Sequence, residues 1–302
     1  MSDKQIQIGS RTFEISNLQK VMFPRINFTK GDLIDYYHDI AQVMLPHMQN
    51  RPLSMERYPD GTEAEGFYAK EAPDYFPDWI DRASVEVLES GETQPQVVCN
   101  QEATLVYLAN QACVTPHLWL SRRDRLHYPD KLIFDLDPPS EGFEPVRQAA
   151  RLLREALDEI ELPSFVMTTG SKGLHVVVPL DRSAEFDVVR AFAKDLANMI
   201  AHRHPDSFTT ETRKVQRKGR LFLDYLRNSY AQTSVAPYAL RALPGAPVAT
   251  SLDWEELENA NLHSQSYTVK NIFRRLGQKE DPWKDMWRHA CRLEAHRAKL
   301  SE

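Results

Sequence analysis

From residue 131 onward short strands and amphipathic helices alternate in a fixed order, and no other feature limits the fold as much. The strand "KLIFDLD" is followed by the helix "EPVRQAARLLREALDEI", the strand "SFVMTTG", a tight "SKG" turn and the strand "LHVVVPL". The helix "EFDVVRAFAKDLANMIAHR" and the strand "RLFLDYL" complete the series. Such an order, with one hairpin-like strand pair inside it, predicts an α/β (α+β) sheet layered with helices.

Upstream, "IQIGSRTFEI" reads as a hairpin turning at Gly9-Ser10. Thr29 and Asp32 have the spacing of a capping box, opening a helix with the apolar stripe Leu33, Ile34, Tyr37, Ile40, Val43 and Met44. Strand-like "LSMERYP" and "GFYAK" follow, then a helix near "ATLVYLANQAC". After the connector "ALPGAPVATS", the segment "DPWKDMWRHACRLEAHRAKL" reads as a closing helix. With 302 residues and no repeat, the chain is expected to form one catalytic unit with at least two lobes.

No apolar run is long enough to span a bilayer, and "MSDKQIQIGS" lacks the apolar core of a signal peptide. Cys99, Cys113 and Cys291 are scattered without a CxxC pair, which fits a reducing cytoplasm. A net charge of −6 argues mildly against nucleic acid. Local patches matter more than the sum, however, and cations cluster at 121–125, at 213–220 and through 270–299.

Within the strand "KLIFDLD", Leu132, Phe134 and Leu136 make one apolar face, while Asp135 and Asp137 end the other. Residues i and i+2 of a strand project together, so two like charges sit side by side and need a compensating cation or donors. An Asx-type turn before Pro138 would account for Asp137 but not for Asp135. Asp224 repeats the pattern in "RLFLDYL"; a salt bridge to a nearby arginine is the plain explanation. Three strand-borne carboxylates are also what Mg²⁺ or Mn²⁺ requires, with Glu211 a competing third ligand. Between the acidic strands lies "TTGSKGLHVVV", where Gly170 and Gly173 permit a turn that brings N–H groups, Ser171 and Lys172 toward an anion. It lacks Walker spacing, and His175 alone would be read as a core histidine.

"FDLDP", "TGSKGLHV" and "FLDY", in this order, resemble the three motifs of the archaeo-eukaryotic primase superfamily. More closely, the chain from "NLQKVMFP" to "APYALR" resembles the polymerase domain of bacterial DNA ligase D, which acts in Ku-dependent non-homologous end joining. The resemblance implies a primase-like core of mixed sheets flanked by helices, two lobes around a cleft, and two catalytic divalent ions, manganese favoured, on Asp135, Asp137 and Asp224. It assigns Ser171, Lys172, Gly173 and His175 to the nucleotide's triphosphate, and Arg241 and His117 to the nucleotide site. Phe67, Tyr68 and Lys70 fill the places of base-stacking aromatics and a following lysine. Arg217 matches an arginine near the active centre and is counted with the DNA-binding residues, as are Asn17, Lys20 and Lys30, which match a grip on a downstream 5′-phosphate. Two positions depart from the family pattern. Leu243 stands where a further arginine is frequent, and Arg227 where a neutral polar residue is more usual.

The resemblance thus implies a cytoplasmic, nucleoid-associated, monomeric polymerase that extends 3′-hydroxyl ends at DNA breaks, preferring ribonucleotides. Its partners would be DNA with 5′-phosphorylated gaps or double-strand-break ends, NTP or dNTP, Ku and a DNA ligase, with no membrane. The alternatives are a primase that starts chains unaided and a degenerate module that bridges DNA ends. Expected boundaries are 1–125 for a lobe with the 5′-phosphate region, 126–245 for the catalytic core and 246–302 for a helical part. No ligase or phosphoesterase domain is present, so a stand-alone polymerase and an excised domain of a larger polypeptide are the two options; the start at Met1 and the expected closing helix favour the first.

Overall fold

Buried on both faces, the strand Lys131–Leu136 organises one half of the molecule. The computed structural model describes residues 4–139 and 142–301. Ile133 is as buried as Leu132, Phe134 and Leu136, so the strand has no solvent face and lies inside a sheet. Each such side chain contributes about 1.5–3 kcal/mol by leaving water, which is what makes the charge at Asp135 costly to place there.

That sheet has six strands in the order Phe208–Thr209, Leu221–Asp224, Lys131–Leu136, Leu174–Pro179, Phe165–Thr168 and Thr250–Leu252. Pairing is antiparallel except at the first pair, so the sheet is mixed. The helices Glu144–Glu159 and Phe186–Arg203 pack on each other and on these strands through Val146, Ala150, Leu153, Val189, Phe192 and Leu196. The sheet belongs to a compact unit made of 120–232, 250–266 and 278–302.

A second unit comprises the residues up to Trp119 together with 233–249 and 267–277. Its sheet runs Thr233–Val235, Cys113–Trp119, Leu53–Arg57, Phe67–Ala69, all antiparallel. Thr29 caps the helix Lys30–Met48, accepting from Asp32 N while the Asp32 carboxylate accepts from Thr29 N, the expected capping box. Tyr36 Oη donates to Tyr238 O at 2.7 Å and Thr115 Oγ1 to Leu240 O at 2.6 Å, tying the late segment 233–249 to the early chain.

The closing helix expected over 281–300 does not form. The backbone of Cys291 is drawn into an extended pairing beside Leu180, donating to Pro179 O at 3.1 Å and accepting from Asp181 N at 3.0 Å. Helical dihedrals at that point are excluded, and only the short turns Met286–His289, Glu294–Arg297 and Ala298–Ser301 remain. Among the described residues no helix is long and apolar enough to cross a membrane.

Asn228 extends the pairing of the strand Lys131–Leu136 with a side chain instead of a backbone. Fully buried, its Oδ1 accepts from Ile133 N at 2.8 Å, and its Nδ2 donates to Ile133 O at 2.8 Å and Tyr225 O at 2.9 Å. Alanine there would strand a buried N–H and a buried C=O, so Asn228→Ala is expected to cost about 3 kcal/mol. Urea unfolding checks this; a loss below about 1 kcal/mol would mean that another group satisfies Ile133.

Candidate active site

Sheet register assembles the acidic group. Asp135 lies opposite Asp224 on one neighbouring strand and opposite His175 on the other, so three residues far apart in sequence share one row. Asp135 is 8% exposed. Arg227 Nε donates to its Oδ2 at 3.0 Å, and His175 Nε2 lies 3.5 Å from its Oδ1. Burial pushes the Asp135 carboxyl up, but His175 and Arg227 outweigh it and hold the pKa at about 2.

Asp137, one residue beyond the strand end, and the half-buried Asp224 behave oppositely. Both are raised, through burial first; the Asp135 charge adds to it in each. Asp224 Oδ1 accepts from Leu226 N at 2.8 Å, which only partly offsets this. Two carboxyls are therefore short of counter-charge beside a third that has it. Glu211 stands apart, exposed on the segment leading to Arg217.

Gly173 brings the "GSKG" turn against the acidic strand. A Cβ on it would sit 1.9 Å from Leu136 O and 2.9 Å from Asp137 Oδ1, so only glycine permits the approach. Thr169 Oγ1 accepts from the backbone N–H groups of Ser171 and Gly173, at 3.4 and 3.2 Å. From the far side Ser264 Oγ donates to Gly173 O at 2.9 Å and Gln265 Nε2 to Ser171 O at 2.8 Å. Beside the turn opens a cavity of about 740 Å³ whose lining includes Asp137, Lys172, Lys214, Arg217, Arg220 and His263. Four cations around one carboxylate suit a polyanion such as a triphosphate. Arg217 is steadied by its guanidinium lying 4.1 Å from the Phe222 ring and by donation to Thr212 O at 2.8 Å.

In the other unit, His117 belongs to a polar group that sequence reading missed because its centre, Glu56, looked like an ordinary strand residue. Glu56 takes His117 Nε2 at 3.1 Å on Oε2 and Tyr58 Oη at 2.7 Å on Oε1. The Tyr68 ring stands 5.3 Å from His117, Phe67 lies under Arg57, and Arg241 is half-buried; Lys70 is exposed. At 47% and 58% exposure, Phe67 and Tyr68 have faces open to a partner ring. Burial pushes Glu56 up, yet the hydrogen bonds from His117 and Tyr58 and the charges of His117 and Arg241 bring it down to about 2 from its ordinary 4.5. A carboxyl depressed in this way stabilises the fold fully above pH 4.5 and loses that contribution as pH falls toward 2. Glu56→Gln should therefore cost on the order of 1–2 kcal/mol at pH 7, allowing for solvent screening, and almost nothing near pH 2. Unfolding titrations across that range test it, and a pH-independent loss would assign Glu56 to packing alone.

Asn17, Lys20 and Lys30 come together through the backbone. Lys20 N donates to Asn17 O, Lys30 N to Lys20 O and Gly31 N to Leu18 O, docking the 17–20 turn on the helix start. Asn17 is exposed in a left-handed conformation, Lys20 Nζ pairs with Asp60 at 2.9 Å, and Lys30, 6% exposed, places Nζ 3.4 Å from Ser16 Oγ.

The donor chemistry of the acidic row fits hard divalent cations: oxygen ligands, two of them under-compensated, next to an anion-binding turn. The ligand set is not preassembled, because Arg227 and His175 engage Asp135. Among the described residues no three His, Cys, Asp or Glu side chains already converge as a metal site.

A family model described as the LigD primase-polymerase domain matches residues 29–283. The multifunctional non-homologous end joining protein LigD of Mycolicibacterium smegmatis is 32% identical over 252 residues, covering 82% of this chain and 33% of that protein. The bifunctional non-homologous end joining protein LigD of Bacillus subtilis is 31% identical over 282 residues, covering 91% and 44%. The chain thus spans between about a third and less than half of these relatives. Among solved structures, the polymerase domain from Mycobacterium tuberculosis Ligase D in complex with DNA matches with a TM-score of 0.84 at 30% identity, covering 92% of this chain and 98% of that one.

Proposed function

The chain belongs to the LigD primase-polymerase domain family, and from that premise we propose that it is a template-dependent nucleotidyltransferase that extends 3′-hydroxyl ends at DNA breaks in non-homologous end joining. The observation that carries this reading is the row Asp135, Asp224 and His175, with Asp137 and the "GSKG" turn at its end and the cationic cavity beside it. Asp135, Asp137 and Asp224 would hold two divalent ions, Mn²⁺ or Mg²⁺; bound there, such ions supply charge neutralisation at the attacking and leaving oxygens.

The chain's own residues do the rest. The Ser171 hydroxyl and Lys172 bind the triphosphate, the Ser171 and Gly173 N–H groups being taken by Thr169, and Gly173 gives the turn its close approach to the carboxylates. His175 orients Asp135, while Arg217 adds charge where pyrophosphate gathers. Tyr68 and Phe67 offer stacking surfaces that tolerate any base, in company with Lys70, His117 and Arg241. Asn17, Lys20 and Lys30 are assigned to a downstream 5′-phosphate, the first two as exposed or half-exposed groups and Lys30 as the buried support. Ribonucleotide preference, and Ku and a ligase as partners, belong to the same reading by family.

An extension assay on a primed gap tests it, comparing NTP with dNTP, Mn²⁺ with Mg²⁺, and a downstream 5′-phosphate with a 5′-hydroxyl. Template-directed extension that is stronger with NTP and with the 5′-phosphate is expected. Binding of gapped DNA with no incorporation under any condition would replace the polymerase with an end-bridging module, and synthesis without a primer would make it a primase.

A further inference from the structure

Arg227 reaches the acidic row from the turn after the strand Leu221–Asp224. The backbone beneath it is held firmly, by the three hydrogen bonds of Asn228 and by Leu226 N on Asp224. Its head group is less constrained. The Arg227 side chain is 42% exposed and that of Asp135 only 10%, so the carboxylate is fixed and the arginine has a path into solvent.

A divalent ion and this guanidinium need the same carboxylate. Arginine keeps its charge under all ordinary conditions, and hard cations take carboxylate oxygens. With Arg227 Nε 3.0 Å from Asp135 Oδ2, an ion on that oxygen would meet a like charge at contact distance. Resting on the metal-binding reading above, we propose that Arg227 is a resident counter-cation, which competes with the divalent ion for Asp135 and so raises the metal concentration that the site requires. Arg227 neutralises the buried carboxylate when no ion is bound and turns outward when one is. The same competition sharpens the choice of cation, since a weaker-binding ion fails to displace the arginine at concentrations where a stronger one succeeds.

The test is direct Mn²⁺ binding, read as loss of the free-ion electron paramagnetic resonance signal, on the whole chain without DNA or nucleotide. Arg227→Gln, Arg227→Lys and Asp135→Asn are compared with the wild type, and each is melted in chelator and in Mn²⁺. Arg227→Gln should bind Mn²⁺ about tenfold more tightly, the scale of one partly exposed charge contact removed. It should also melt lower in chelator and gain more from Mn²⁺ than the wild type, while Arg227→Lys stays close to the wild type. Equal or weaker Mn²⁺ binding by a folded Arg227→Gln overturns the proposal and makes the arginine a support for Asp135. If that variant folds only when Mn²⁺ is added, one cation has replaced the other as proposed; if Mn²⁺ does not restore it, the proposal fails. Should Asp135→Asn bind Mn²⁺ like the wild type, or the wild type and Arg227→Gln both bind none, the metal reading itself falls and takes this inference with it.

Discussion

Asp135→Asn is expected to lower primer extension by about a thousandfold or more, the scale of removing one preorganised charge from a reaction centre, while the protein stays folded. The fold survives because two effects oppose each other. A carboxyl held at about 2 rather than 3.8 adds stability that is complete above pH 3.8 and is lost as pH falls toward 2, so the amide forfeits it at neutral pH. The same change removes the negative charge that helps to raise Asp137 and Asp224, and their crowding eases. The net change in stability should lie within roughly 1 kcal/mol. Extension rates and thermal melting on the same preparation check both halves. Extension near the wild-type rate would remove Asp135 from the chemistry, and a melting temperature lower by ten degrees or more would make its role structural.

Gly173→Ala should be the most damaging single methyl group in the "TGSKGLHV" motif. The added carbon would stand 1.9 Å from Leu136 O and 2.8 Å from Leu136 C, and neither backbone atom can swing aside as a side-chain tip would. The turn has to lift away from the strand, breaking contacts from Thr169 and Ser264 that converge on Gly173 O. An overpacking cost of about 3 kcal/mol is expected, with extension lost beyond what the stability change explains, because Ser171 and Lys172 move with the turn. Gly277→Ala is the control: nothing lies within 4 Å of the added carbon, and its backbone lies outside the left-handed region. Calorimetry together with nucleotide titration separates the two effects. A Gly173→Ala protein that melts and binds nucleotide like the wild type would mean that the strand and turn are not held as described.

Where a segment's pattern and its surroundings agreed, the sequence was readable. The hairpin around Gly9, the cap at Thr29 and the strand–helix order from residue 131 all carry local signals, and tertiary packing reinforces each one. The family was legible for the same reason: its three motifs sit on strands whose edges are marked by Asp, Gly and Pro. Helical periodicity over 281–300 misled because the pairing of Cys291 with the segment at Pro179 depends on residues a hundred positions away. Glu56 was findable, since a carboxylate in "LSMERYP" poses the same question that Asp224 poses in "RLFLDYL". Asn228, Ser264 and Gln265 were not. Their value lies in which backbone groups they reach, and no local spacing encodes that.

The chain passes between the two compact units five times before it ends, which bears on how the protein is made. During synthesis the strand Cys113–Trp119 leaves the ribosome well before Thr233–Val235, the neighbour that covers its edge. At about 5–20 residues per second, Val235 follows Trp119 only after roughly six to twenty-three seconds. For that interval an apolar strand edge waits unpaired in the cell. Neither unit can be expressed as one uninterrupted fragment, and nascent chains of this protein should draw on chaperones more than their length suggests.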